Sequence, residues 1–149
     1  MKRRIWNILK ALGPCILLAV SCVSAQSANT LIAKVPFDFV VCNSKLPAGE
    51  YTVSIDTLHT IVLVRGERGD SAVMALSIAA HSGKISEQAK LVFKHYGDRY
   101  VLSQVWPAAT SDGREFPMSK LEKELARSIG KPEIVSLLIA GPSLRKPTR

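Results

Sequence analysis

Histidine, cysteine and aromatic residues are all scarce in this 149-residue chain, and each shortage closes off a class of function. The three histidines, His59, His81 and His95, lie far apart, and none sits two to five residues from another histidine or from Cys42. Zinc sites draw on closely spaced His and Cys ligands, so the sequence predicts no metal and no cofactor. Of the three cysteines, Cys15 and Cys22 fall within the first 25 residues, leaving Cys42 as the one thiol beyond them. No disulfide can then form within the remaining chain, and its stability has to come from an apolar core. There is no Gly-x-Ser-x-Gly elbow, no glycine-rich phosphate loop and no strip of alternating basic and aromatic residues. Glu122 and Glu124 fall on different sides of a predicted helix, so the carboxylates offer no acid–base pair. These absences predict a protein that is not an enzyme and does not bind nucleic acid.

What is present begins with the leader. Lys2, Arg3, Arg4 and Lys10 precede an apolar run from Ala11 to Val20, and Val23-Ser24-Ala25 supplies small residues before Gln26. This is the pattern of a secretory signal peptide over residues 1–25, with an apolar stretch too short to span a bilayer. Export to the periplasm or beyond the cell is the expectation. A second processing route is also open. Leu18-Ala19-Val20-Ser21-Cys22 resembles a lipoprotein signal, which would acylate Cys22 and anchor the protein to a membrane.

The leader carries four of the 20 basic residues and none of the 12 acidic ones, so its removal lowers the net charge from +8 to +4. Three of the remaining positive charges, Arg145, Lys146 and Arg149, sit in a tail over residues 142–149. The body is therefore near neutral, which argues against nucleic acid as a partner. The basic tail offers one further route to an anionic membrane surface.

Between leader and tail, residues 26–34 read as a flexible entry and residues 35–141 as a single β-rich domain. Val35, Phe37, Phe39 and Val41 alternate with Pro36 and Asp38, as in a half-buried strand that continues to Cys42. Asn43 to Gly49 is turn material, and Tyr51, Val53 and Ile55 alternate again. Thr60 to Arg65 is a β-branched run, and Gly66 to Asp70 a charged turn. Ser71 to His81 reads as one strand with Ala72, Met74, Leu76 and Ile78 on one side, followed by a polar loop, Ser82 to Gln88.

The clearest hairpin closes at Gly97-Asp98, a type II′ turn that sets Tyr96 opposite Arg99, His95 opposite Tyr100, and Phe93 opposite Leu102. Tyr100, Leu102 and Trp106 then share a core face. A loop follows from Ala108 to Pro117. Ser119-Lys120-Leu121-Glu122 is a capping box that opens a short amphipathic helix, stopped by Gly130 and Pro132. Glu133 to Ala140 reads as a last buried strand. The fold class expected is mainly β: a small antiparallel barrel or sandwich with one short C-terminal amphipathic helix.

Candidate binding residues are the hairpin tip, His95, Tyr96, Arg99 and Tyr100, together with Tyr51 of the Leu46–Tyr51 turn. The leading function is a non-enzymatic envelope domain that binds a partner protein, an envelope polymer or a small apolar ligand. A lipid-carrying barrel would instead line a cavity with Met74, Leu76, Phe93 and Leu102. A small hydrolase would pair Ser71, in Gly69-Asp70-Ser71, with His81.

Three segments carry a family resemblance. They are Val35-Pro36-Phe37-Asp38-Phe39, Leu46-Pro47-Ala48-Gly49-Glu50-Tyr51-Thr52-Val53, and Lys90 to Phe93 with Tyr96 to Leu102, continued by Ser119 to Ala126. In these the chain resembles a group of small exported bacterial β-rich proteins of unknown function. The resemblance implies export and a β fold, and brings no activity, cofactor or catalytic residue with it.

Overall fold

In a computed structural model the described residues are 29–56, 58 and 60–139, so the predicted leader, Cys22, His59 and the tail lie outside them. Among the described residues, eleven strands and one helix follow one another. The first sheet is β1 (Asn29–Val35), β4 (Gly49–Asp56), β5 (Ile61–Gly66) and β6 (Ala72–Leu76), in the order β1-β4-β5-β6. The second holds β7 (Ile78–Ser86), β8 (Lys90–Tyr96), β9 (Arg99–Trp106), β10 (Thr110–Glu115) and β11 (Glu133–Leu138), in the order β11-β8-β9-β10-β7. A hairpin of β2 (Phe39–Val41) and β3 (Ser44–Leu46) joins it through β9. The fold is thus mainly β, built from two open sheets and not from a closed barrel.

The two sheets bury one core. Val53, Val62, Val64 and Ala75 come from the first, and Phe39, Leu91, Phe93, Leu102 and Val105 from the second. Phe39 stands at right angles to both Tyr51 and Phe93, with ring centres 5.1 and 5.6 Å apart. Each fully buried Val, Leu or Phe stabilises the fold by about 1.5–3 kcal/mol relative to exposure. Without a disulfide among the described residues, this layer carries the fold.

The helix α1 (Lys120–Ser128) starts where the capping box placed it, with Ser119 Oγ accepting from the Glu122 backbone N–H at 3.2 Å. Its Leu121, Leu125 and Ala126 pack on Val40, Tyr96 and Val101, on the outer face of the second sheet. It is not the last element, because β11 follows it. Nor does the Glu122 side chain reach back to its own cap. Lys94 and Tyr96 claim it instead.

The hairpin register agrees at all three predicted pairs, Tyr96 with Arg99, His95 with Tyr100 and Phe93 with Leu102. Gly97 takes a φ of +61°, as the first position of a type II′ turn demands. Directly beyond the Phe93–Leu102 pair the register slips. Val92 pairs with Gln104 while Phe93 pairs with Leu102, so Ser103 is an extra residue in β9. The bulge reverses the faces beyond it. Val105 joins Leu102 in the core, and Trp106 turns to the outer face, correcting the expectation that Tyr100, Leu102 and Trp106 share one side.

Other boundaries shift for local reasons. Residues 29–34, read as a flexible entry, form most of β1 and pair with Glu50 to Ile55 of β4. Their signal is weak because the inward residues Leu31 and Ala33 alternate with an outward Ile32. The strand predicted over 35–42 breaks at Pro36, which has no N–H for a ladder. Cys42, placed in that strand, instead sits in the turn to β3 at a φ of +56°. That turn moves Ser44–Leu46 from turn to strand, paired with β2.

The strand predicted over 71–81 is divided at Ser77, which bonds Thr60 O through its backbone N–H and its hydroxyl. One half stays in the first sheet and the other, β7, enters the second, extending to Ser86 through the predicted loop. The loop placed at 108–117 contains β10, whose Gly and charged residues hide its strand character. Pairing is antiparallel except between β2 and β9, which run parallel. The last strand is an edge, not a buried one, and its Ile134 and Leu138 face solvent.

Candidate functional site

The predicted hairpin-tip site is largely occupied by the protein's own packing. Tyr96 is buried, and its hydroxyl donates to Glu122 Oε1 at 3.2 Å. Burial and the neighbouring carboxylate both push its phenol above the ordinary tyrosine range, so it remains a neutral donor. Tyr51 is buried as well and donates to Pro47 O at 2.6 Å. Burial raises its phenol in the same direction. Its bond, with that from Ala48 N–H to Asp38 Oδ1 at 3.0 Å, fixes the Leu46–Tyr51 turn as a structural corner.

Tyr100 is stacked on Phe37 at 3.9 Å and on His95 at 4.1 Å, and His95 lies 3.7 Å from a Glu133 oxygen. Of the five candidate residues Arg99 alone is exposed. It shares a shallow groove with Asp38, Lys45 and Asp98, where charges of both signs offset one another. The structure therefore brings His95, Tyr100 and Arg99 together at one end of the second sheet but takes Tyr96 and Tyr51 out of reach of a ligand.

The residues of the other two readings are also dispersed. Phe93 and Leu102 belong to the packed core, while Met74 and Leu76 are each 69% exposed, so these four do not line a common cavity. Ser71 lines a depression with Pro47, Gly66 and Asp70, and its hydroxyl donates to Asp70 at 3.3 Å. His81 lies in a different cleft of 410 Å³, with Ile55, Ala79, Pro107, Thr110 and Arg114. Its Nδ1 is 2.6 Å from Asp112 Oδ1, a geometry that orients a ring but leaves it without the serine. Among the described residues no group of three or more His, Cys, Asp or Glu side chains is placed to hold a metal ion.

The outer face of the second sheet presents a different surface. Helix α1 covers one end of it. At the boundary the Lys94 ammonium meets Glu122 Oε1 at 2.9 Å, the two side chains being 22% and 4% exposed. Beyond that pair the face is open and forms a groove of 390 Å³ running across the sheet from β7 to β11. Its walls are Ile85 and Val92 with Ile134. Its polar groups are Ser82, Ser86, Ser136 and Gln104, and its only ionisable side chains are Lys84 and Lys90.

Trp106 shapes the floor of this groove. Its cross-strand neighbour on β10 is Gly113, where even a Cβ atom would stand 2.6 Å from the indole Cδ2 and Cε3 atoms. The missing side chain lets the ring lie down on the backbone of β10. Gln104 accepts from the indole N–H at 3.0 Å, and the Lys90 ammonium sits 5.8 Å from the ring centre, within cation–π range.

Sequence reasoning missed this site for two reasons. The Ser103 bulge put Trp106 on the unexpected face, and the groove joins residues 82–86 to 134–136 through pairings that no local pattern encodes. The Gly113 that seats the ring was the one available signal. No family model, no curated protein and no solved structure matches the chain.

Proposed function

We propose that this protein is an exported, non-enzymatic β-sandwich domain of the cell envelope that binds an anionic polymer in the groove over Trp106. The observation that carries the reading is the lining itself: two lysines as its ionisable side chains, set among hydroxyls, an amide and apolar walls, with the Glu115 carboxylate held by Gln104 at the margin. Lysines attract an anion from solution, and the serine hydroxyls hydrogen-bond its uncharged groups. The apolar walls, chiefly the exposed Ile85 and Ile134, add contact area. The groove crosses the strands instead of closing into a pocket, which suits an extended chain better than a small molecule. Export rests on the signal pattern of residues 1–25, and places such a domain among anionic envelope polymers.

Trp6 lies in the leader, so Trp106 is the only tryptophan after Ala25 and its fluorescence reports the groove directly. The test is a titration of the purified protein with a soluble polyuronate, beside a neutral glucan of the same length. A saturable emission change is expected with the polyuronate alone, weakening with added salt as exposed charges are screened. Changing Lys84 and Lys90 together to Glu is expected to abolish it. Equal responses to both polymers, or full binding by the doubly reversed variant, would refute this function.

A further inference from the structure

The outward row of β6 carries a second surface, independent of the groove. Met74 and Leu76 are each 69% exposed and Ile78, just past the Ser77 corner, is 54% exposed. On β5, Leu63 and Ile61 are the cross-strand partners of Met74 and Leu76, and extend the apolar face inward over the sheet. From Ser71 to Ala80 the chain has no charged residue and no proline.

β6 is also a free edge of the first sheet. The other edges carry charges that discourage pairing: Lys34 on β1, Lys45 on β3, Lys84 on β7 and Glu133 on β11. Among the described strands β6 is the one edge, left unpaired by any other described strand, that lacks such a guard.

The hydrogen-bond parity of that edge is fixed. Gly66 N–H donates to Ser71 O, and Ser77 N–H donates to Thr60 O, each at 2.8 Å. Ser71 and Ser77 thus aim their backbone at β5, and alternation aims Val73 and Ala75 there too. The N–H and C=O groups of Ala72, Met74 and Leu76 point the other way, along the free edge.

We infer that β6 is a self-association edge, and that a second copy of this chain pairs with it antiparallel about a twofold axis through Met74. In that register Met74 meets Met74 and Ala72 meets Leu76, forming about six backbone hydrogen bonds across the axis. Val73 meets Ala75, so on either side of the axis a small residue faces a larger one. The uncharged strip offers no counter-charge to an acidic or basic partner, and the described body, with 13 basic and 12 acidic residues, carries almost no net charge to keep copies apart. Two first sheets then merge into one of eight strands, and the Met74, Leu76, Leu63 and Ile61 faces become continuous.

A five-residue edge buries less than the roughly 800 Å² per partner of a standard interface, so the dimer is concentration-dependent. The test is sedimentation of the purified chain over a dilution series, with Met74→Lys beside it. The wild type is expected to pass from dimer to monomer on dilution. Met74→Lys, which sets two ammonium groups face to face on the axis, is expected to be monomeric throughout with an unchanged circular dichroism spectrum.

A crosslink reads the register without relying on affinity. Paired residues on the axis have Cα atoms about 5.5 Å apart, within the range a disulfide spans. With the three native cysteines changed to Ser, Met74→Cys is expected to yield a covalent dimer in air, and Ile32→Cys on the opposite edge is not. A wild type that stays monomeric at every concentration, a Met74→Lys protein that still dimerises, or equal crosslinking at both positions would overturn the inference.

Discussion

Changing Glu122 to Leu strands two donors at once, because its carboxylate is the partner of both the Lys94 ammonium at 2.9 Å and the Tyr96 hydroxyl at 3.2 Å. Breaking a fully buried ion pair from one side costs about 3–5 kcal/mol, and a buried hydroxyl left unpaired about 1–3. Lys94 retains 22% exposure and regains some water, so the two costs do not simply add. About 3 kcal/mol is the expected loss for Glu122→Leu. Lys94→Met is expected to lose about 2, because the stranded carboxylate keeps its bond from Tyr96. With both changed, no charge stays buried and only the Tyr96 hydroxyl lacks a partner, again about 2 kcal/mol. The double variant then falls short of the summed single losses by about 3 kcal/mol, a large coupling for one pair. Adding Tyr96→Phe removes the last unpaired group, and the triple variant returns to within about 1 kcal/mol of the wild type.

Urea unfolding measures each corner of this cycle, and an unchanged slope certifies that the folded and unfolded ensembles have kept their compactness. A nine-residue helix cannot stand alone in water, so its circular dichroism also tests whether the pair fastens it to the sheet. Single variants that add to within about 0.5 kcal/mol, or that each lose less than that, would refute the reasoning. The pair would then be a surface contact, and Leu121 and Leu125 alone would hold the helix.

Two further outcomes follow from local geometry. Gly113→Ala places a methyl group 2.6 Å from the Trp106 ring, and is expected to cost about 1–3 kcal/mol while shifting the tryptophan emission. Unchanged emission and melting would mean that the ring does not rest on β10. Burial, with the Glu122 charge second, pushes the Cys42 thiol up, so its reactive thiolate form is suppressed at neutral pH. Alkylation of Cys42 is therefore expected to keep accelerating at alkaline pH after an exposed cysteine has levelled off, and in Glu122→Leu the profile moves toward lower pH. A profile that coincides with that of an exposed cysteine would contradict this.

Elements whose signals are local and unambiguous were legible from the chain. The Gly97 turn dictates its hairpin register, and Ser119 dictates the start of α1, because each rests on a few neighbouring residues. The hidden features are those in which one residue changes the meaning of all that follow it. Pro36 and the positive φ of Cys42 divide one predicted strand between β1 and β2 and end it early. Ser103, a single extra residue, sends Trp106 to the opposite face, and with it the best candidate site. A period of two carries no memory of such an insertion, so every residue beyond it is assigned to the wrong side.

The outward placement of Met74 and Leu76 has a different cause, which lies in the opposite sheet. Both faces of β6 are apolar, and alternation alone cannot say which one is buried. Size suggests Met74 and Leu76, yet Val73 and Ala75 face the core. The inner surface of the second sheet already carries Phe39, Leu91, Phe93 and Leu102, with Tyr100 at its margin. Packed sheets stand about 10 Å apart, and side chains that large fill most of the gap. What remains is filled by the small and β-branched residues Ala33, Val53, Val62, Val64 and Ala75, at the density a protein interior requires. A one-residue slip that buried Met74 and Leu76 would overfill the layer and strand Val73 and Ala75 outside. The large residues of β6 are exposed because the aromatic layer of the second sheet occupies the space they would need, and that same exclusion leaves an apolar, unguarded edge open to a second molecule.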